Sequence, residues 1–174
     1  MTASIHQPVL PDEILKWLAP RPGGTLVDGT LGGGGHTRLL AAQVGKDGLV
    51  IGLDRDPAVV VRAETQLRGL PVAVAHANYA DLPEVLAELN LEHVDGIVLD
   101  LGLSSDQLLD ANRGFSFSAE GPLDLRFDPS SGQGASQLIA RLGERQLADM
   151  IYRYGEERYS RRIARRIDKE REKQ

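Results

Sequence analysis

Three aspartates and a histidine, Asp28, Asp54, Asp100 and His36, carry most of the chemical potential in the first hundred residues. Asp28 and His36 flank four consecutive glycines in the stretch "VDGTLGGGGHT". A glycine turn between an apolar run and a helix start leaves backbone N–H groups free and lets a ligand approach where a Cβ would obstruct it. Dinucleotide folds use this arrangement as G-x-G-x-x-G. Counted from Gly32 the third glycine falls on Thr37, and counted from Gly33 it falls on Arg38, so that fingerprint fails. A Walker-type loop fails as well, because no Lys-Ser/Thr pair follows the glycines.

What the stretch does match is an acid followed by alternate small residues, D-x-T-x-G-x-G, at Asp28, Thr30, Gly32 and Gly34. This resembles the first motif of Rossmann-like S-adenosylmethionine methyltransferases. Asp54 follows the glycines by about 20 residues, where a carboxylate can accept hydrogen bonds from both hydroxyls of a ribose. Folds that bind NAD place an acid there too, so Asp54 does not discriminate between the two cofactors. His36 has three readings at this stage: a general base, a ligand contact, or a solvated turn residue. Tyr79 either stacks on an adenine or packs at a sheet edge. Asp100, in "LDLGLSS", either holds an acceptor amine by its N–H or closes a turn. His6, His76 and His93 carry no pattern. With no cysteine and no second histidine at ligand spacing, no metal site is expected.

These residues need elements to position them. Apolar runs at 25–30, 49–54, 72–78 and 96–102 read as four strands, separated by helix-period segments. Leu10, Ile14, Trp17 and Leu18 mark an amphipathic helix before the first strand. Gly45 stops the helix that follows the glycines. Asp56 caps the next, with Pro57 at its first position and Val60, Ala63 and Leu67 on one face. Asp81 with Glu84 forms a candidate capping box for a helix carrying Leu82, Val85, Leu86 and Leu89. Strands alternating with helices imply right-handed parallel crossovers and a doubly wound α/β sheet. All four strands are apolar with little alternation, as when helices cover both faces. In such sheets ligands bind beyond the carboxyl ends of the strands, and every candidate residue falls there.

Beyond Gly102 the periodicity stops. Residues 104–136 hold Gly, Ser, Asp and Pro without a sustained period, which reads as a long structured loop or the entry to an inserted subdomain. Leu147, Met150, Ile151 and Tyr154 then mark a helix ending near Gly155, and Tyr159, Ile163 and Ile167 form a narrow apolar stripe beside several arginines. The two expected domains are 1–104 and 105–174.

The chain of 174 residues carries a net charge of −5, which argues against indiscriminate nucleic-acid binding by the whole. From Arg153 to Gln174, however, nine Lys/Arg stand against five Asp/Glu, a local excess of four. Neither a signal pattern nor a membrane-span-length apolar run is present in the sequence, and cytoplasm is the expected compartment.

Taken together, "VDGTLGGGGHT", "GLDRDP", "GIVLDLGLSSDQLLDANRGFSF", "GPLDLRFDP" and "YGEERYSRRIARRI" resemble the bacterial small-subunit ribosomal RNA (cytosine-N4)-methyltransferase family, from about Pro8 to Ile167. The resemblance implies an α/β fold: a Rossmann-like methyltransferase sheet with its first four parallel strands present, followed by a mostly helical insertion that helps to recognise RNA. It implies S-adenosyl-L-methionine as cofactor and the N4 amine of a cytidine in small-subunit ribosomal RNA as acceptor; the apolar runs, all shorter than a span, give no membrane partner. Carried over by position, cofactor contacts fall on Gly34, Gly35, His36, Asp54, Tyr79, Asp100 and Gln107, with Asp100 also the candidate catalytic group. Arg158, Arg161, Arg162, Arg165 and Arg166 become candidate RNA contacts, against the alternative of a solvated charged face. Asp106 stands where the family usually has Pro, which predicts a looser turn before Gln107. Members of the family are longer, and "DKEREKQ" carries no capping signal, so the expectation is an N-terminal fragment that keeps the cofactor contacts. The rival readings are a chain that binds cofactor or RNA without turnover, and an NAD-dependent oxidoreductase.

Overall fold

In the computed structural model, which describes residues 8–171, the first helix α1 (Pro11–Leu18) precedes β1 (Thr25–Asp28), α2 (Gly35–Val44), β2 (Leu49–Asp54), α3 (Pro57–Gln66), β3 (Val72–His76), α4 (Leu82–Glu88) and β4 (Gly96–Val98). The four strands are parallel and lie in the order β3-β2-β1-β4. Alternate residues of the central strands face opposite sides. Leu26 and Val50 pack with Leu40, Ala41 and Val44 of α2 and with Ile14, Leu15 and Leu18 of α1. Val27, Ile51 and Leu53 pack with Val85, Leu82 and Leu86 of α4 on the other side. Helix α3 buries Ala63 and Leu67 against Val72 and Val74, on the α2 side. The helix that links β3 to β4 therefore crosses to the opposite face, and the strand order reverses between β1 and β4. That reversal is the topological switch point, where sheets of this kind open a crevice.

The local signals act largely as their chemistry dictates. Asp56 accepts the Ala58 N–H at 3.0 Å and Pro57 opens α3. Gly45 closes α2 with φ 67°. Four expectations need correction. The capping box at α4 lies one turn earlier, on Asn78 and Asp81, because a short 3-10 turn (Tyr79–Asp81) precedes the helix; the Asp81 side chain makes no cap to α4. Leu10 and Trp17 are exposed, and Leu15 joins the expected Ile14 and Leu18 on the core, while Trp17 lies beside the Lys16 ammonium. β4 ends at Val98, so Asp100 lies two residues beyond the strand rather than at its end. Only β1 and β2 are buried throughout most of their length; β3 is half-buried and Ile97 of β4 is exposed, since these two strands form the sheet's edges.

The chain divides into two compact units, Met1–Ser105 and Asp106–Gln174. The second contains most of α5 (Ser105–Leu109), then α6 (Ala135–Arg141), α7 (Glu144–Gly155) and α8 (Ser160–Arg171). Asp106 sits in the first turn of α5, where a carboxylate suits the helix N-terminus, so this position forms helix rather than a loosened turn. The core of the unit is Leu147, Ala148 and Ala164, joined by Ile139, Leu142, Ile151 and Ile167. The apolar stripe expected on α8 is thus displaced: Tyr159 and Ile163 are exposed, and the buried face runs through Ser160, Ala164 and Ile167. The small residues let α8 approach α7 closely. Arg171 donates to the carbonyls of Ile139 and Leu142 at 2.7 and 2.6 Å, closing the end of α6, and is itself paired with Asp168.

The loop before α6 is held by its own motif residues. Arg113 donates to the carbonyls of Arg126 and Phe127 at 2.8 and 2.6 Å. Arg126 forms a two-pronged pair with Asp124, and that guanidinium holds the Asp124 carboxyl below the usual range. The rings of Phe115 and Phe127 meet at 5.6 Å. Gly121 passes so close to the Ala111 carbonyl that a Cβ would sit 2.0 Å from its oxygen. Among the described residues no helix is long and apolar enough to cross a membrane.

Gly121→Ala is therefore expected to lower the unfolding free energy of the second unit by about 1–3 kcal/mol through overpacking. Gly155→Ala, with open space around it, should leave stability unchanged or slightly raised. Urea titration of both variants checks the contrast.

Candidate functional site

The residues beyond the carboxyl ends of β1 and β4 are organised by Asp28, the last residue of β1, which is fully buried. Its Oδ2 accepts the Thr37 hydroxyl at 2.7 Å. Its Oδ1 accepts the Thr30 N–H at 3.2 Å and, more weakly, the Thr30 hydroxyl at 3.4 Å. The Thr30 Oγ1 in turn accepts the Asp100 N–H at 2.7 Å. One buried carboxylate thus ties the start of α2 to the segment after β4. Burial pushes the Asp28 carboxyl above its ordinary range, opposed by the hydrogen bonds from Thr37 and Thr30 and by the nearby His36.

Asp54 plays a parallel part at β2. Its Oδ2 accepts the Gly32 N–H and its Oδ1 the Asp56 N–H, both at 2.9 Å. Burial again raises its pKa against these bonds. Each oxygen keeps a lone pair, and the residue is partly open to solvent, so it retains acceptor capacity for a ribose.

The glycine string is explained in part by the chain itself. Gly32 and Gly34 have φ of 49° and 74°, the left-handed region that favours glycine. A Cβ on Gly35 would press on Pro8 at 3.3 Å. The N–H of Gly34 donates to the Leu31 carbonyl at 2.7 Å, and Gly34 is the N-cap of α2. The first N–H groups of α2, from Gly35 onward, have no carbonyl a turn earlier to pair with and form an electropositive helix end.

His36 is buried, 6% exposed, at the second position of α2. Neither ring nitrogen has a hydrogen-bond partner among the described residues, and Nε2 lies 3.6 Å from Asp100 Oδ2. The structure removes the solvated-turn reading of this residue. Tyr79 is 44% exposed at the start of its 3-10 turn, with its Cβ close to Gly29. Gly34, Gly35, His36, Asp54, Tyr79 and Asp100 all belong to the first unit; Gln107 belongs to the second, buried on α5. His76 donates from Nε2 to the Arg55 carbonyl at 3.0 Å, and His6 lies outside the described residues.

Sequence reasoning missed Thr37 and the use of Thr30. The available signal was two hydroxyls placed two and nine residues after an acid, within a run whose other residues, apart from His36, are glycine and leucine. The arginines of the second unit divide in two. Arg165 pairs with Glu144 at 3.5 Å and Arg166 with Glu170 at 3.3 Å. Arg158 precedes α8 and stacks over the Tyr159 ring at 4.7 Å, and Arg161 and Arg162 are exposed on the first turn of α8.

Residues 3–174 match the model of the MraW methylase family. The chain is 51% identical over 166 residues to the ribosomal RNA small subunit methyltransferase H of Syntrophotalea carbinolica, covering 94% of this chain and 53% of the relative. It is 52% identical over 169 residues to the protein of the same name from Deinococcus radiodurans, covering 97% of this chain and 52% of the relative. The chain spans about half the length of the curated relatives it matches. Among solved structures, a SAM-dependent methyltransferase from Aquifex aeolicus is 28% identical over 39% of this chain and 38% of its own, at a TM-score of 0.37, too low to carry an argument.

The raised pKa of Asp28 has a testable sign. A carboxyl that binds its proton more tightly when folded contributes stability that is full below the unfolded value, near 3.8, and is lost as pH rises through the folded value. Asp28→Asn, which lacks this titration, is expected to lose less stability than the wild type as pH rises from about 4 toward neutrality. Urea unfolding across that range checks it.

Proposed function

The chain belongs to the MraW methylase family, and from that premise we propose that it is the cofactor-binding part of an S-adenosylmethionine-dependent methyltransferase acting on the N4 amine of a cytidine in small-subunit ribosomal RNA. The observation that carries this reading is the convergence of Asp54, the α2 N-terminus, His36 and Asp100 at the switch point of the sheet. Bound S-adenosylmethionine would supply an electrophilic methyl group on a positively charged sulfur. The chain's own residues bind and orient. The helix end at Gly34, Gly35 and His36 receives a carboxylate, as its free N–H groups favour. Asp54 accepts from the ribose hydroxyls, and the half-exposed Tyr79 offers a face for the adenine. Asp100, with its side chain 46% exposed, accepts an N–H of the acceptor amine and aims the nitrogen's lone pair. Methyl transfer is a direct displacement, so this positioning and charge complementarity supply much of the rate. The second unit contributes RNA binding through Arg158, Arg161, Arg162, Arg165 and Arg166, and an RNA acceptor of this kind places the protein in the cytoplasm.

A second reading, cofactor binding without turnover by this chain, is favoured by one observation. Ile97 of β4, and Leu99 and Leu101 on either side of Asp100 in the segment that follows it, are 47%, 44% and 66% exposed. Methyl incorporation separates the two readings.

Calorimetric titration should show S-adenosylmethionine binding and no NAD binding, with Asp54→Asn weakening it by about tenfold to a hundredfold, the worth of charge-assisted hydrogen bonds. Binding of NAD alone would contradict the proposal. Transfer of labelled methyl to small-subunit RNA, followed by digestion and detection of N4-methylcytidine, tests the reaction itself. RNA affinity should fall with salt. Replacing both Arg161 and Arg162 by Ala should reduce the slope of log affinity against log salt by about one to two, since each phosphate contact contributes about 0.7–0.9. The same change at Arg165 and Arg166, already paired with Glu144 and Glu170, should have a smaller effect.

A further inference from the structure

His36 is the one buried side chain at the switch point whose polar atoms are left without hydrogen bonds among the described residues. Leaving a buried ring nitrogen unpaired is costly, so the site is built for a partner that closes on it. The nearest polar group is the Asp100 carboxylate, with Oδ2 at 3.6 Å from Nε2, just beyond hydrogen-bond distance. The two side chains are not brought together by chance. Thr37, the neighbour of His36 on α2, is tied to Asp28 Oδ2; Thr30, on Asp28 Oδ1, receives the Asp100 N–H. The same buried carboxylate therefore sets the position of both partners. The charged groups facing the imidazole are Asp100 from the segment after β4 and Asp28 from β1.

We propose that His36 is a positioning residue: its Nε2–H donates to Asp100 Oδ2 and fixes the carboxylate so that Oδ1 faces the acceptor amine. The inference rests on the methyltransferase reading given above. During transfer the amine nitrogen's lone pair forms the bond to the methyl carbon, and the carbon–sulfur bonding pair returns to sulfur. The methylated nitrogen then sheds one proton to Asp100 Oδ1, which passes it to solvent. His36 keeps its own proton throughout; it orients the acceptor and does not take part in the transfer.

Two measurements test this on the 174-residue chain. The first is heteronuclear NMR of the imidazole nitrogens at about pH 9, where an ordinary imidazole is neutral, with His36→Gln assigning the signal. Hydrogen on Nε2 in the wild type, shifting toward Nδ1 in Asp100→Ala, is the expected result; hydrogen on Nδ1 in the wild type overturns the proposal. This readout needs neither cofactor nor turnover. The second is kinetic. His36→Leu is expected to lower kcat by about tenfold to a hundredfold, the scale of a misplaced reacting group, with KM for RNA unchanged and the cofactor Kd altered far less than kcat, because the cofactor contact assigned to this position is its backbone N–H, which the substitution keeps. His36→Gln, whose amide nitrogen can donate from the place of Nε2, should recover most of that loss. Failure of Gln to recover it, or an equal loss of cofactor affinity in both variants, overturns the positioning role. Absence of S-adenosylmethionine binding by the wild type would defeat the methyltransferase reading instead, while the NMR result still decides what His36 does.

Discussion

A single buried carboxylate, Asp28, is the constraint on which the candidate site depends. Taking a charge out of water is expensive unless it is met by donors. Asp28 collects the Thr37 hydroxyl, the Thr30 N–H and the Thr30 hydroxyl, and it stands beside His36. Those donors come from the loop and from the first turn of α2, and Thr30 reaches on to the backbone of Asp100. The requirement to satisfy one group thus fixes three pieces of backbone. Asp54 repeats the logic one strand over, pinning Gly32 and Asp56. In both cases an acid that could be read as a ligand contact first holds its own loop.

The sheet order explains why these pieces meet where a ligand can reach them. α2 and α3 pack on one face and α4 on the other, so the crevice opens between β1 and β4. His36 and Asp100 lie on its two sides. The buried middle of the sheet, Leu26, Val27, Val50 and Ile51, gives this arrangement a rigid base. The methyl transfer proposed for this chain would need little beyond positioning, and this network holds His36 and the backbone of Asp100 in place.

Much of the first unit was legible in the sequence. Uniform apolar runs separated by helix-period segments led directly to the parallel sheet, and Asp56-Pro57 to the start of α3. The failures have physical causes. Trp17 and Leu10 fit the helical period, yet an eight-residue helix packs only one narrow face, and Ile14, Leu15 and Leu18 occupy it. On α8 the large residues Tyr159 and Ile163 suggested the buried stripe, but close helix contact selects small residues, and Ser160 and Ala164 lie inside instead. The four glycines suggested a ligand against the backbone; left-handed φ at Gly32 and Gly34 and the contact of Gly35 with Pro8 account for three of them within the fold. The Arg113–Asp128 stretch was legible as specific but not as structural, because its bonds run between a guanidinium and carbonyls that no periodicity reveals. The candidate residues were found by position relative to strand ends; their hydrogen bonds were not, since these join residues up to 70 apart.

The measurement that tests the central claim most directly is amide hydrogen exchange at Asp100 in Thr37→Val. Among the described residues the Thr37 hydroxyl donates to the far oxygen of the Asp28 carboxylate and not to Asp100. If Asp28 places both sides of the crevice, loss of the Thr37 hydroxyl should loosen Thr30 and make the Asp100 amide exchange faster, with the amides of β2 unaffected. Unchanged protection at Asp100 in a folded Thr37→Val chain would contradict the account and leave the two sides of the site independently built.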